Sequence, residues 1–150
     1  MPPWSPPLAA VLAAEAGADG DLGEPMPLGV AVFLAMVHIG TGLFLVWLAR
    51  RSMAGGLARN RIAGIRTSAT LSSDEAWAAG HRAGGPLMAA GGWAYVVTGV
   101  VLLVTVRQPG WLALVVLGLG NVALITSCVM SVVRANRAAR ATEKTDSVRE

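Results

Sequence analysis

Residues Trp111–Val133 read WLALVVLGLGNVALITSCVMSVV, an unbroken apolar run with no formal charge. The hydrocarbon core of a bilayer takes about 20 such residues in helical form. Two further stretches meet the same condition. Leu28–Leu48 carries no formal charge with His38 neutral, and Pro86–Val106 carries none. Lipid offers no partner to an unpaired backbone group, and three segments cannot close a barrel, so each span is expected to be a helix. The fold expected is all-α, an integral membrane protein with three transmembrane helices. The spans fall at residues 28–48, 86–106 and 111–133, in one membrane domain over 28–133. Pro86 suits the first turn of the second span, where its missing N–H costs little.

Composition agrees. Of 150 residues, 54% are hydrophobic and 14% charged, a balance that suits lipid better than water. The net charge of +3 is small, but its placement is informative. No Lys or Arg precedes Arg50, while Glu15, Asp19, Asp21 and Glu24 do. Arg50, Arg51, Arg59, Arg61, Arg66 and Arg82 fall between the first two spans; Arg134, Arg137, Arg140, Lys144 and Arg149 follow the third. Only Arg107 lies in the turn around Gln108-Pro109-Gly110. The positive-inside rule then puts the N-terminus outside, with the loop 49–85 and the basic tail 134–150 in the cytoplasm. Trp47, Trp93 and Trp111 near span ends suit interfacial anchors. Residues 1–27 read as a flexible outer tail. Its apolar run Leu8–Ala14 lacks a basic n-region and is too short to span, so it is a poor signal peptide. Met26 is an alternative start. The single cysteine, Cys128, sits in an apolar run and reads as a small packing residue.

The loop is too long to be a mere connection. Asn60-Arg61-Ile62-Ala63-Gly64-Ile65-Arg66-Thr67-Ser68-Ala69-Thr70 has neither helical nor strand period, and its Gly, Ser and Thr residues favour irregular backbone. A helix start follows: Ser72 with Glu75 matches the capping box, and Asp74 and Glu75 suit the positive end of the helix dipole. Trp77 and His81, four apart, share a face, with Trp77 expected at the bilayer interface. Gly84, Gly85 and Pro86 are expected to bend the chain into the second span.

The ordered set Asn60, Gly64, Ile65, Arg66, Thr67, Thr70, Leu71, Ser72, Ser73, Asp74, Glu75, Ala76, Trp77, His81, Arg82 and Gly84, followed by two spans, resembles the signature of the SdpI family. The likeness runs from about Asn60 to Val133. It departs at Ser68, where the family favours Pro, and at Ala78, where a longer polar residue is common. The resemblance implies a multi-span protein of a bacterial inner membrane. It also implies immunity to, or sensing of, a secreted membrane-active toxin peptide, a role that in the named member extends to holding a repressor at the membrane.

Each candidate residue carries a plainer alternative. Arg50, Arg51, Arg59 and Arg61 need only topology and anionic headgroups as their explanation. Arg66, inside the signature beside Thr67, is expected either to pair with Asp74 or Glu75 or to grip a phosphate bidentately. His81 is a structural hydrogen-bonder, a proton-transfer group or a ligand; with no second His or Cys at ligand spacing, no metal is expected. Asp74 and Glu75 diverge by about 100° on a helix, so they do not form a facing pair. Asn60, Gly64, Arg66, Thr67, Thr70, Trp77 and His81 are therefore the candidate binding or signature residues, with no catalytic set and no cofactor. His38 and Asn121 are intramembrane polar residues near mid-depth, able to face each other, as interhelical glue or as function. Ala123, Ser127 and Ser131 make a small-residue stripe for a close helix contact, within the chain or between copies.

The expected partners are the bilayer with its anionic headgroups, a toxin peptide and further copies of the chain. Basic residues are not interleaved with aromatics, so nucleic acid is not expected. Two rivals stand beside the binding role. One is a small transporter, or a transporter subunit acting as a homo-oligomer, with a polar path past His38 and Asn121. The other is a lipid-headgroup-modifying membrane protein using His81 and the nearby acids.

Overall fold

The computed structural model describes residues 22–146; of the expected tail over 1–27, residues 1–21, with Leu8–Ala14, lie outside them. Three helices follow in order: α1 (Leu28–Met53), α2 (Asp74–Val104) and α3 (Gly110–Asp146). All three are long and apolar enough to cross a membrane. The described residues contain no strand, only an isolated bridge between Pro25 and Pro109. That bridge belongs to a small clasp at the turn end. Gly110 N–H donates to Glu24 C=O at 2.8 Å and Trp111 N–H to Leu22 C=O at 3.1 Å, occupying two donors that open the N-terminus of α3.

The helices overrun the apolar stretches at the opposite end. α1 continues past Leu48 to Met53, with Arg50 and Arg51 in its last turn. α3 continues past Val133 through most of the expected basic tail, to Asp146. The expected bend at Gly84-Gly85-Pro86 is absent. α2 begins twelve residues earlier, at Asp74, and Pro86 sits inside it. Proline removes one i→i−4 hydrogen bond, but its ring lies on an exposed side of α2, away from both neighbouring helices. The N-cap is Ser73, not Ser72. Its side chain accepts from Ala76 N–H at 3.0 Å, while Ser72 Oγ donates to Ala69 C=O at 2.8 Å.

α2 is the central helix, packed along both α1 and α3. The reason is two glycine columns at seven-residue spacing, two turns apart and so on one face each. Gly85, Gly92 and Gly99 face α1; a Cβ on Gly92 would lie 2.8 Å from Gly42 O, and one on Gly99 2.7 Å from Ala35 O. Gly84 and Gly91 face α3; a Cβ there would meet Ser131 O and Ser127 Cβ, each at 2.7 Å. Within a membrane, such small-residue contacts replace the hydrophobic drive that lipid cannot supply. Ser127 and Ser131 of the expected stripe therefore serve a contact within the chain, and Ser131 Oγ donates to Gly84 C=O at 2.8 Å. Beyond the apolar stretches, Ala69, Ala76 and Ala139 form a separate small core joining the loop, α2 and α3.

Candidate functional site: the pinned loop

Between α1 and α2 the chain makes an irregular loop that folds back on the first two turns of α2. His81 organises it. Its side chain is fully buried. Nε2 accepts from Ile65 N–H at 2.9 Å, and Nδ1–H donates to Trp77 C=O at 2.8 Å. This pairing requires a neutral ring with its proton on Nδ1. Burial accordingly pushes the imidazole below its usual pKa, with the bond to Trp77 pulling partly back. Gly64, one residue before the pinned amide, has φ +103°, and a Cβ there would lie 2.4 Å from His81 Nε2. Both the backbone angle and the space demand glycine.

Trp77 packs against His81, ring centroids 4.1 Å apart and planes tilted by 42°, and its indole N–H donates to Leu57 C=O at 2.8 Å. It is 4% exposed. The expectation of an interfacial Trp77 is thus corrected: the loop covers the ring and takes its one polar atom.

Thr67 and Thr70 form a reciprocal turn. Thr67 N–H donates to Thr70 Oγ1 at 2.9 Å, and Thr70 N–H to Thr67 Oγ1 at 3.2 Å. Thr70 Oγ1 donates onward to Ile65 C=O at 2.7 Å, while the Thr67 hydroxyl donates to the Asn136 side chain on α3. The loop is thereby tied to α2 through His81 and to α3 through Thr67.

Asn60 shapes the loop's tip. Its Oδ1 accepts from the N–H groups of Ile62 and Ala63, each at 2.8 Å, an Asx-type turn that leaves Ile62 88% exposed. Arg66 turns to the same tip and donates to Arg61 C=O. It pairs with neither Asp74 nor Glu75. The ion pair falls to Arg59, whose Nε meets Asp74 Oδ1 at 2.7 Å, with its guanidinium also donating to Leu71 C=O at 2.9 Å. Beneath the loop lies a cleft of about 300 Å³, lined in part by Ile65, Arg66, Thr67, Met88, Cys128 and Val132.

Residues 57–131 match the family model described as the SdpI/YfhL protein family. The chain belongs to the SdpI/YfhL family. With its three apolar helices it is a multi-pass membrane protein of that family. No curated protein and no solved structure matches the chain. All seven signature-loop candidates lie within the matched region, and the structure brings them to one end of the bundle.

The two intramembrane candidates lie elsewhere and do not meet directly. Tyr95 stands between them. The His38 ring lies 4.4 Å from the Tyr95 ring, and Tyr95 Oη donates to Asn121 Oδ1 at 3.0 Å. Asn121 Nδ2 donates to Leu117 C=O at 2.8 Å. His38 Nδ1 bonds Leu34 C=O at 2.7 Å, but the buried Nε2 has no partner.

The sequence reading missed Tyr95, Asn136 and the pairing role of Arg59. Tyr95 had a signal, as the single tyrosine of the chain, set amid apolar residues. Asn136 had little, since it is one polar residue in a polar tail.

Proposed function

We propose that this chain is a membrane-embedded binding protein that confers immunity to, or senses, a membrane-active toxin peptide, and that it is not an enzyme. One observation carries the reading: the family's signature loop is a pinned element with an exposed Ile62 at its tip and Arg59, Arg61 and Arg66 in the same loop. A fixed apolar tip on an arginine-rich loop suits a contact surface better than a reaction centre. Both nitrogens of His81 are engaged by backbone groups, which supports a structural role over acid–base chemistry on lipid headgroups. The cleft under the loop, apolar along Met88 and Val132 and cationic at Arg66, suits the end of an amphipathic peptide.

The orientation proposed is N-terminus outside, with the loop and the end of α3 in the cytoplasm of a bacterial cell. Eleven basic residues on that side against one on the other support it. The test is survival of a sensitive bacterial host, with and without the protein, under a panel of secreted membrane-active peptides. Protection against at least one peptide is expected; none against any would remove the immunity reading.

A second reading, a transporter acting as a homo-oligomer, is favoured by the His38–Tyr95–Asn121 array, where a buried imidazole nitrogen lacks a partner inside the membrane domain. Substrate flux into vesicles containing the purified protein would support it over immunity.

A further inference from the structure

A second cleft lies outside the pinned loop, between α1 and α2 at the loop end of the bundle. Its volume is about 480 Å³. We propose that this groove, floored by Leu43 and Val46, walled by Trp47 and Trp93 and headed by Arg50 and Arg51, binds one anionic phospholipid from the leaflet at that end.

The argument starts from spacing. Leu43, Trp47 and Arg51 recur every four residues of α1, so they share a face and descend it in steps of about 6 Å. The order is apolar, then indole, then guanidinium. A phospholipid presents the matching order of acyl chain, ester and glycerol zone, then phosphate. Indoles favour the middle zone, and guanidiniums bind phosphate through paired N–H donors.

The polar groups at the mouth are uncommitted. Arg59 is paired with Asp74, whereas neither Arg50 nor Arg51 has a hydrogen-bond or ion-pair partner for its side chain. The indole N–H groups of Trp47 and Trp93 are unpartnered too, whereas that of Trp77 is taken.

Two features preposition the walls. Phe44 stacks on Trp47 with ring centroids 5.9 Å apart. Gly56 N–H returns to Arg51 C=O at 3.0 Å, and a Cβ at Gly56 would lie 3.2 Å from Arg51 Cγ, so the chain reversal lies directly against the arginine. The C-terminus of α1 opposes an anion with a partial charge of about −0.5, which two full guanidinium charges outweigh. A phosphatidylcholine phosphate comes with its own cation, so an anionic headgroup is preferred.

The test uses the full chain in detergent micelles. Native mass spectrometry follows binding of short-chain phosphatidylglycerol, phosphatidylcholine and inorganic phosphate. Wild type is expected to hold one phosphatidylglycerol per chain, and to bind phosphatidylcholine about tenfold more weakly. The double variant Arg50→Gln/Arg51→Gln is expected to weaken phosphatidylglycerol by about tenfold or more. The charge-matched pair Arg134→Gln/Arg137→Gln should leave it within about twofold, since exposed charges away from the groove act only diffusely. Leu43→Trp, which keeps every charge, should also weaken binding by filling the groove, and it decides the matter should the arginine variant misfold. Equal losses in the two arginine pairs, equal affinity for phosphatidylcholine, or full binding by Leu43→Trp would each overturn the site. Competition by inorganic phosphate as strong as by the lipid would overturn it in favour of a free-phosphate site. None of these outcomes depends on toxin immunity.

Discussion

Two buried histidines in one chain are treated in opposite ways. His81, at the loop end, has each ring nitrogen matched to a backbone group. His38, inside the first span, uses Nδ1 and leaves a buried Nε2 with no partner, against the Tyr95 ring. A buried polar atom without a partner typically costs about 1–3 kcal/mol, so the first site is finished structure and the second retains unused capacity. The contrast assigns rigidity to the family loop and leaves the intramembrane histidine with one unpaired nitrogen.

Substitutions sharpen the contrast, beginning with the largest effect. Gly64→Val forces a β-branched residue to φ +103° and drives Cβ into His81 Nε2. A destabilisation of about 4 kcal/mol or more is expected, read as loss of folded protein in thermal scans in micelles. A near-wild-type Gly64→Val protein would mean that the loop is not pinned at all. Gly42→Leu attacks the helix contact instead, since even a Cβ would lie 2.5 Å from Gly92 O. It should cost about 1–3 kcal/mol while sparing the loop, measured by protease protection of residues 57–73.

His81→Ala strands Ile65 N–H, while Trp77 C=O keeps its helical partner, and should cost about 1–3 kcal/mol, read as loop proteolysis at neutral pH. The pH dependence has a definite sign. Burial holds the folded imidazole below its unfolded pKa, so its stabilisation is complete above about pH 6.5 and is lost as pH falls through the folded value. Acidification should therefore open the wild-type loop to protease, and His81→Gln should lack that step. Tyr95→Phe removes one intramembrane hydrogen bond to Asn121 and should cost only about 0.6 kcal/mol in thermal scans. Smallest is Arg59→Ala: its ion pair with Asp74 is exposed, and a change under about 0.5 kcal/mol is expected, in the same scans.

The spans were legible because lipid demands a long apolar run, and Leu28–Leu48 and Trp111–Val133 supply it without interruption. The gathering of Asn60, Gly64, Arg66, Thr67, Thr70, Trp77 and His81 was legible from the signature, though not from any period. Other features depend on tertiary contacts that hydropathy does not encode. Trp77 looked interfacial because an indole near a span usually is, but the loop buries it. Adjacent serines gave two frames for a cap. Ser72 matched the Glu75 spacing, yet its hydroxyl is engaged by Ala69 C=O, which leaves Ser73 as the cap. Pro86 marked where hydropathy rises, not where the helix begins, because a membrane helix tolerates a missing N–H. Arg66 had two acids within reach in sequence, but the fold turns it back to Arg61 and gives Asp74 to Arg59. The glycine columns were written plainly at positions 85, 92 and 99, and a scan for small residues at seven-residue spacing would have found them.

The most direct measurement is protection of a sensitive host by wild type, Arg66→Ala and Trp77→Ala at equal membrane abundance. The account predicts that wild type protects against a membrane-active peptide, and that both variants lose most of that protection. Undiminished protection in both would contradict the claim that the pinned loop carries the function.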